Sequence, residues 1–473
     1  MTNEITPQPT IVQIETASLG DRSYLVHDGE VAVVVDPQRD IDRVLDLAAE
    51  HGVRITNVFE THIHNDYVTG GLALAQATGA TYHVNADDPV TYERHPVRGG
   101  DVVEVSLRMR MRVIATPGHT YTHLSYALET SDGASGENDT VAVFTGGSLL
   151  FGATGRPDLL GPDHTDSLVR HQYASARRLA HELPAHTHVM PTHGFGSFCS
   201  SGSTGDATES TIGDEQTRNP VLTEPEQQWI DETLAGLDEY PAYYAHMGPA
   251  NTAGPAPADL GAPHPADKET LADRLAAGEW VVDLRTRTTF AAGHVTGTLN
   301  FGLDGQFATY LGWLIPWGTP LTLLGDTPGQ VAEAQRELVR IGIDHLKGAA
   351  TGTPTDWTDA SPASFPRADF ADLAQVRHHR PVTVLDVRRA SEYDESHIEG
   401  AVNLPLHELL TRLSEVPEGE VWVHCASGYR ASIGASLLAA RANATHVVAI
   451  DDSYGEHAAT AGPLVTTADD VAG

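Results

Sequence analysis

One pattern occurs twice in the second half of this 473-residue chain. Val281-Val-Asp-Leu-Arg285, with Phe290 and Gly-His-Val-Thr-Gly-Thr-Leu-Asn300, is matched by Val384-Leu-Asp-Val-Arg388, with Tyr393 and Ser-His-Ile-Glu-Gly-Ala-Val-Asn403. So many positions recurring in one order, roughly a hundred residues apart, imply a duplicated domain. Each copy goes on to a second apolar strand, at 321–324 and 421–424, that runs into a loop and a helical pattern. Strands alternating with helices predict a parallel sheet covered on both faces in each copy.

Two Gly-, Pro- and Ala-rich stretches without amphipathic period, 248–265 and 349–366, read as linkers. They divide the chain into three domains, 1–250, 266–350 and 366–473. A looser stretch at 200–210 (SSGSTGDATES) reads as a surface loop inside the first. In that first domain, apolar β-rich runs at 31–36, 56–60, 113–116, 141–145 and 187–190 predict strands, and 40–51 and 166–182 predict helices. The fold class expected is α/β, with α+β character in the first domain.

Composition narrows the functional classes. With 29 Lys+Arg against 64 Asp+Glu, the net charge of −35 argues against a nucleic-acid surface, which phosphates would find repulsive. No apolar run approaches the roughly 18–20 residues of a membrane span, and the start lacks a signal-peptide pattern. Two cysteines, Cys199 and Cys425, do not make a disulfide scaffold. A cytoplasmic protein without membrane contact is expected, with a homo-oligomer compatible with everything in the sequence.

Cys425 stands where an apolar strand gives way to a helix, in Val421-Trp-Val-His-Cys425-Ala-Ser-Gly-Tyr-Arg430. Such a loop aims backbone N–H groups and the positive end of a helix at one point, with Arg430 closing the ring. That is an environment for a nucleophile or a sulfur carrier. At the corresponding place the first copy has Gly325 and Gln330 in place of thiol and arginine, so no catalysis is assigned to it.

Of the chain's 25 histidines, several fall in turns that follow predicted strands. Thr61-His62-Ile-His64-Asn-Asp66-Tyr67, Thr116-Pro-Gly-His119-Thr and Pro191-Thr-His193-Gly-Phe-Gly-Ser-Phe-Cys199 place four imidazoles and a carboxylate at strand ends. His-x-His spacing lets two rings converge on one ion. Metal ligands are expected among His62, His64, His119, His193 and Asp66. His123 reads as structural. Cys199, six residues after His193, is a candidate sulfur acceptor if it faces the same pocket.

The Cys425 domain resembles the rhodanese family of sulfurtransferases, through Asp386, Arg388, His397, Gly400, Asn403 and the Cys425–Arg430 loop. The 266–350 copy is similar, without the thiol. The histidine motifs resemble those of the metallo-β-lactamase fold, an αββα sandwich. Asp36-Pro-Gln-Arg-Asp40, Gly155-Arg156-Pro-Asp158 and Tyr240-Pro-Ala-Tyr-Tyr-Ala-His246 narrow the likeness to fusions of a persulfide dioxygenase with rhodanese domains, proteins of hydrogen sulfide detoxification. That resemblance implies oxidation of a small persulfide to sulfite at one Fe(II) ion, with sulfane sulfur passing between thiosulfate, sulfite and thiols at Cys425.

Two positions depart from that family. Tyr67 replaces a histidine of a second metal site, and Gly147 replaces the aspartate that ligates the iron with the counterparts of His62 and His119. Three accommodations remain open: His64 joining His62 and His119 on Fe(II) or zinc, Asp66 supplying the carboxylate, or an empty site. The resemblance puts Asp66 and His193 in second rank behind His62, His64 and His119, because they match ligands of the site that Tyr67 disrupts. The alternative functions are a sulfurtransferase with a degenerate first domain and a thioester hydrolase of the glyoxalase-II kind.

Overall fold

The computed structural model describes residues 8–131, 138–202, 207–441 and 446–467. The chain divides into two compact units, Met1–Asp259 with Val339–Gly342 and Leu260–Leu338 with Ile343–Gly473. Both copies of the duplicated pattern therefore lie in one unit.

The first unit holds two sheets. One orders its six strands Thr10–Thr16, Asp21–His27, Val31–Val35, Arg54–Phe59, Thr81–Asn85 and His95–Val97. The other orders His188–Pro191, Asn138–Gly146, Leu124–Ser131, Met109–Ala115 and Val102–Glu104. Val31–Val35 shows how sequence sets the layers. Side chains alternate across a strand, so Val33 and Val35 enter the core between the sheets with Phe59, Tyr126 and Phe144. Ala32 and Val34 face the other way, onto Val44 and Leu74 of the helices Asp42–Glu50 and Gly71–Thr78. The second sheet is covered likewise by the helix Pro162–Glu182, through Val169, Ala176 and Leu179. The result is the expected αββα sandwich.

In the second unit, a four-stranded parallel sheet orders Leu299–Asn300, Trp280–Asp283, Leu321–Gly325 and Leu346–Thr351. A five-stranded parallel sheet orders Arg367–Ala368, His446–Ile450, Glu420–His424, Thr383–Asp386 and Val402–Asn403. The recurring residues do the same structural work in both copies. Arg285 clasps Asp283 and donates to the Gly293 carbonyl, while Asn300 donates to the carbonyls of Asp283 and Arg285. Arg388, Asp386, Ser396 and Asn403 repeat that arrangement. The shared histidines stack on the preceding aromatic ring, His294 on Phe290 at 4.0 Å and His397 on Tyr393 at 3.6 Å.

The structure corrects three boundaries. A helix, Tyr244–Ala253, runs into the stretch read as the first linker, because Asn251 in its last turn is buried and its side chain meets three backbone groups of the first unit. The second linker carries the end of strand Leu346–Thr351 and the helix Pro354–Trp357, whose Trp357 lies fully buried beneath Arg285. The helix predicted from residue 166 begins at Pro162, where proline's fixed φ and missing N–H suit the first helical position. Within the predicted loop 200–210, residues 203–206 lie outside the described residues. Among the described residues, no helix is long and apolar enough to cross a membrane.

Candidate functional site

The turn after strand Arg54–Phe59 carries His62, His64 and Asp66, and Asp36 shapes it from below. Asp36, at φ +51°, accepts from the Thr61 N–H and hydroxyl at 2.7 Å each and from the Thr192 hydroxyl. Because Thr61 donates to Asp36, its hydroxyl oxygen is left to accept from His62 Nδ1 at 2.9 Å. That places the bare nitrogen of His62 at Nε2.

Two further imidazoles are fixed the same way. His119 Nδ1 donates to the Arg156 carbonyl at 2.8 Å, and its Nε2 is buried without a partner. His193 Nδ1 faces Asp21 at 2.9 Å and Asp66 at 3.0 Å, and its Nε2 lies 3.4 Å from His62 Nε2. The ligand atoms of His62, His119 and His193 lie within 4.8 Å of one another. Acceptors on the far nitrogen are the outer support that metal-binding histidines use. Bonds of 2.0–2.1 Å in a tetrahedron separate neighbouring nitrogens by about 3.3 Å, so the His62–His193 spacing fits one shared cation.

Electrostatics follow from burial. Removal from water lowers His62, and lowers His119 to about 3, so both stay neutral and able to ligate. Burial acts the same way on His193, but the Asp66 and Asp21 carboxylates outweigh it and raise that imidazole. Asp21, buried beside Asp66, is itself pushed up to about 7.

His64 turns elsewhere. Its Nε2 lies 3.0 Å from the Tyr67 hydroxyl, 3.2 Å from Glu60 and 3.3 Å from Asp36. Burial alone would lower it; the two carboxylates raise it to about 9. Its Nδ1, buried and unpartnered, is the atom left for a ligand, and His64 also groups with Asp66 and His193. His123 uses both nitrogens, with the Thr116 hydroxyl at 2.8 Å and the Gly147 N–H at 3.1 Å. Cys199 is buried against Asp66 and Tyr244; burial, then the Asp66 and Asp21 charges, push its thiol up and keep the proton on sulfur.

A carboxylate at position 147 has no room. A Cβ there would lie 2.5 Å from His119 Cδ2, and one at Gly155 would lie 2.7 Å from His119 Nδ1. The His119 ring is thus packed between two glycines. Iron's set of two imidazoles and one carboxylate does not fit these residues at Gly147; three imidazoles do.

In the second unit Cys425 ends the buried strand Glu420–His424 and precedes the helix Tyr429–Arg441. Its Sγ accepts from the N–H groups of Gly428 at 3.2 Å and Ala431 at 3.4 Å. Arg430 pairs through two bonds with Glu392, at 2.6 and 2.7 Å. Arg430 also lines a narrow cleft with Tyr310, Trp313, Leu314, Val387 and His407. Gly325 and Gln330 occupy the corresponding loop of the other copy, where the Gln330 side chain accepts from the Asp326 N–H at 2.7 Å.

Residues 369–459 match the rhodanese-like domain family. A solved metallo-β-lactamase from Staphylococcus aureus superposes with a TM-score of 0.64 at 27% identity, over 73% of this chain and all of that one. The chain joins a metallo-β-lactamase fold to a rhodanese domain. The chain is 30% identical over 171 residues to a hydroxyacylglutathione hydrolase of Methylobacillus flagellatus, covering 36% of this chain and 60% of that relative. It is 28% identical over 205 residues to a mitochondrial persulfide dioxygenase of Homo sapiens, covering 42% of this chain and 71% of that relative. The match thus spans less than two thirds of the hydrolase.

The structure brings His62, His119 and His193 together, with Asp66 against His193, Cys199 against Asp66, and His64 turned toward Glu60 and Asp36. Sequence reasoning did not single out Asp21, Glu60 or Asn251. Asn251 accepts from the Thr69 N–H and donates to the carbonyls of His64 and Tyr67, clamping the histidine turn from a distant helix. No local motif marks it. Asp21 stands at a strand start with no neighbour in sequence to suggest its pairing with His193.

Proposed function

We propose that this chain is a sulfur-handling enzyme in which Cys425 carries sulfane sulfur and the metallo-β-lactamase fold oxidises a low-molecular-weight persulfide. The observation that carries the reading is the Cys425 sulfur at the meeting point of the Gly428 and Ala431 N–H groups, at the start of a helix. The transfer balances in two displacements. The Cys425 thiolate attacks the outer sulfur of thiosulfate; the S–S bond breaks and sulfite leaves with the electron pair. An acceptor thiolate then attacks the outer sulfur of the Cys425 persulfide, restoring the Cys425 thiolate and leaving as a new persulfide. N–H donors already aimed at Sγ stabilise the thiolate that attacks in the first displacement and is restored in the second, without reorganisation.

For the first unit the net reaction is persulfide, dioxygen and water giving thiol, sulfite and two protons. His62, His119 and His193 would hold the cation, which as iron(II) supplies redox chemistry and as zinc Lewis acidity alone. Asp21 and Asp66 orient His193, Thr61 and the Arg156 carbonyl orient the other two rings, and burial excludes bulk water. Cys199, beside Asp66, is the candidate sulfur acceptor of this reading, and its use requires removal of the proton that burial and the Asp66 and Asp21 charges hold on sulfur. The human relative, a persulfide dioxygenase, supports this reading.

A second reading, sulfurtransfer alone, draws on the glycine-packed His119 ring. The hydrolase relatives favour a third, thioester hydrolysis, against which Tyr67 and Gly147 both stand. Oxygen uptake with glutathione persulfide, using anaerobically purified, iron-supplemented protein, separates them. The proposal expects uptake and sulfite formation, both lost in His119→Ala. No uptake with thiosulfate transfer retained selects the second reading; zinc-dependent thiol release from an acylthiol, untouched by Cys425→Ser, selects the third.

A further inference from the structure

Glu392 is a carboxylate set among the cations beside the Cys425 loop. It lies in the helix Ala390–Glu395, and both terminal nitrogens of Arg430 donate to it, at 2.6 and 2.7 Å. Arg389 adds its backbone N–H at 3.1 Å and its Nε at 3.3 Å. Burial alone would lower the Arg430 guanidinium; its bonds to Glu392 outweigh that and raise it, and the charge of Cys425 adds to them. One guanidinium therefore stands beside both groups. Arg389 and Arg430 line the same cleft.

The duplication separates this group from the frame of the domain. Both copies keep the clasp of aspartate and arginine, the stacked histidine and the asparagine. Counting from the clasp arginines Arg388 and Arg285, the counterparts of Arg389 and Glu392 are Thr286 and Thr289. Gly325 and Gln330 stand for Cys425 and Arg430. The copy without a thiol thus lacks both arginines and the carboxylate together. Glu392 accompanies the thiol, not the clasp.

A guanidinium recognises a carboxylate or a sulfonate through the same pair of parallel N–H bonds. At Arg430 that fork is filled from within the domain before any donor arrives. The charges of Arg389 and Arg430 are matched by Glu392 and the Cys425 thiolate, which leaves no excess positive charge for a second anionic group. We infer that Glu392 sets the charge of the sulfur donor that Cys425 accepts, favouring donors with no formal charge on the group that bears the sulfane sulfur, such as a low-molecular-weight persulfide, over thiosulfate, whose sulfonate competes with Glu392 for Arg430. This rests on the sulfur-carrying reading of Cys425. The transfer itself is the same for each donor. The Cys425 thiolate attacks the outer sulfur and the S–S bond breaks. Sulfite leaves from thiosulfate, or a thiolate from a persulfide whose proton stays on the transferred sulfur, in each case with the electron pair.

The test uses two donors of one shape. Methanethiosulfonate has a methyl group where thiosulfate has an anionic oxygen, and it releases methanesulfinate. For each donor, kcat/KM of the full chain with cyanide as acceptor is measured in the wild type, Glu392→Gln, Glu392→Ala and Glu395→Gln. The last removes the same charge from an exposed position of the same helix. The thiosulfate-to-methanethiosulfonate ratio is expected to rise at least tenfold in both variants at 392, carried by a lower KM for thiosulfate, and to stay within threefold of wild type in Glu395→Gln. Equal changes for both donors, or an equal rise in Glu395→Gln, would overturn the inference. Alkylation of Cys425 in a Cys199→Ser background reads the same carboxylate without sulfur. The iodoacetate-to-iodoacetamide rate ratio rises in Glu392→Gln, and an unchanged ratio counts against the inference. A variant that does not fold shows the ratio of the urea-unfolded chain, and the other substitution at 392 then decides. If Cys425 carries no sulfur, neither donor forms a persulfide on the wild type, yet the alkylation ratio reports the carboxylate. The two failures are therefore distinct.

Discussion

At the residue scale the decisive position is Gly147. With a Cβ there only 2.5 Å from the His119 ring, Gly147→Asp does not restore a carboxylate ligand but displaces an imidazole. Overpacking of this kind costs about 1–3 kcal/mol. We expect the variant to unfold at lower urea concentration and to retain less metal after dialysis; higher metal retention with unchanged stability would contradict the three-imidazole site. A second residue-scale test concerns Arg430 and Glu392. Burial alone would raise the Glu392 carboxyl, and the two bonds from Arg430 pull it down to about 2. A carboxyl lowered on folding contributes stability that is complete above its ordinary value and lost as pH falls through the folded value. Glu392→Gln should therefore be less stable than wild type near pH 7, with the difference shrinking between about pH 4.5 and 2 in urea unfolding. A difference independent of pH would show that the pair does not bear on stability.

At the scale of elements, the helix Tyr244–Ala253 matters beyond its length. Its Asn251 satisfies backbone groups of Thr69, His64 and Tyr67, all buried. Leaving buried polar groups unpaired costs about 1–3 kcal/mol each. Asn251→Ala is expected to lower the thermal midpoint and, by loosening the His62–Tyr67 turn, to speed metal loss to a chelator; wild-type values for both would contradict the clamp. This element also shows where sequence reading ran out. Strand and helix positions in the first unit were legible because alternating valines and the amphipathic run 166–182 carry their period in the sequence. The helix over 244–253 was hidden by glycine and proline at 248, 249 and 254, which read as linker. What holds it is a side chain reaching the histidine turn, a contact between segments 182 to 187 residues apart that no local pattern encodes. His62 and His119 were legible from strand-end turns. The ranking of His193 was set by its likeness to relatives, whereas its place beside His62 depends on Asp21 and Asp66 arriving from two other turns. The duplication was visible because its Asp, Arg and Asn bond one another within each copy.

At the scale of the whole molecule, the net charge of −35 predicts self-repulsion that salt screens. The thermal midpoint should rise between low salt and about 1 M potassium chloride, where the screening length falls to about 3 Å. A flat or falling midpoint would show that surface charge is locally balanced. In the proposed function, a cation held by the sandwich and sulfur carried on Cys425 are linked because sulfite or persulfide formed by one is substrate for the other. That account stands on Cys425 taking up sulfur. The measurement that tests it most directly is the intact mass of the full chain after thiosulfate treatment and removal of free donor. The account predicts one added sulfur on the wild type, removed by a thiol acceptor and absent from Cys425→Ser. An unchanged wild-type mass, or sulfur added equally to Cys425→Ser, would contradict it.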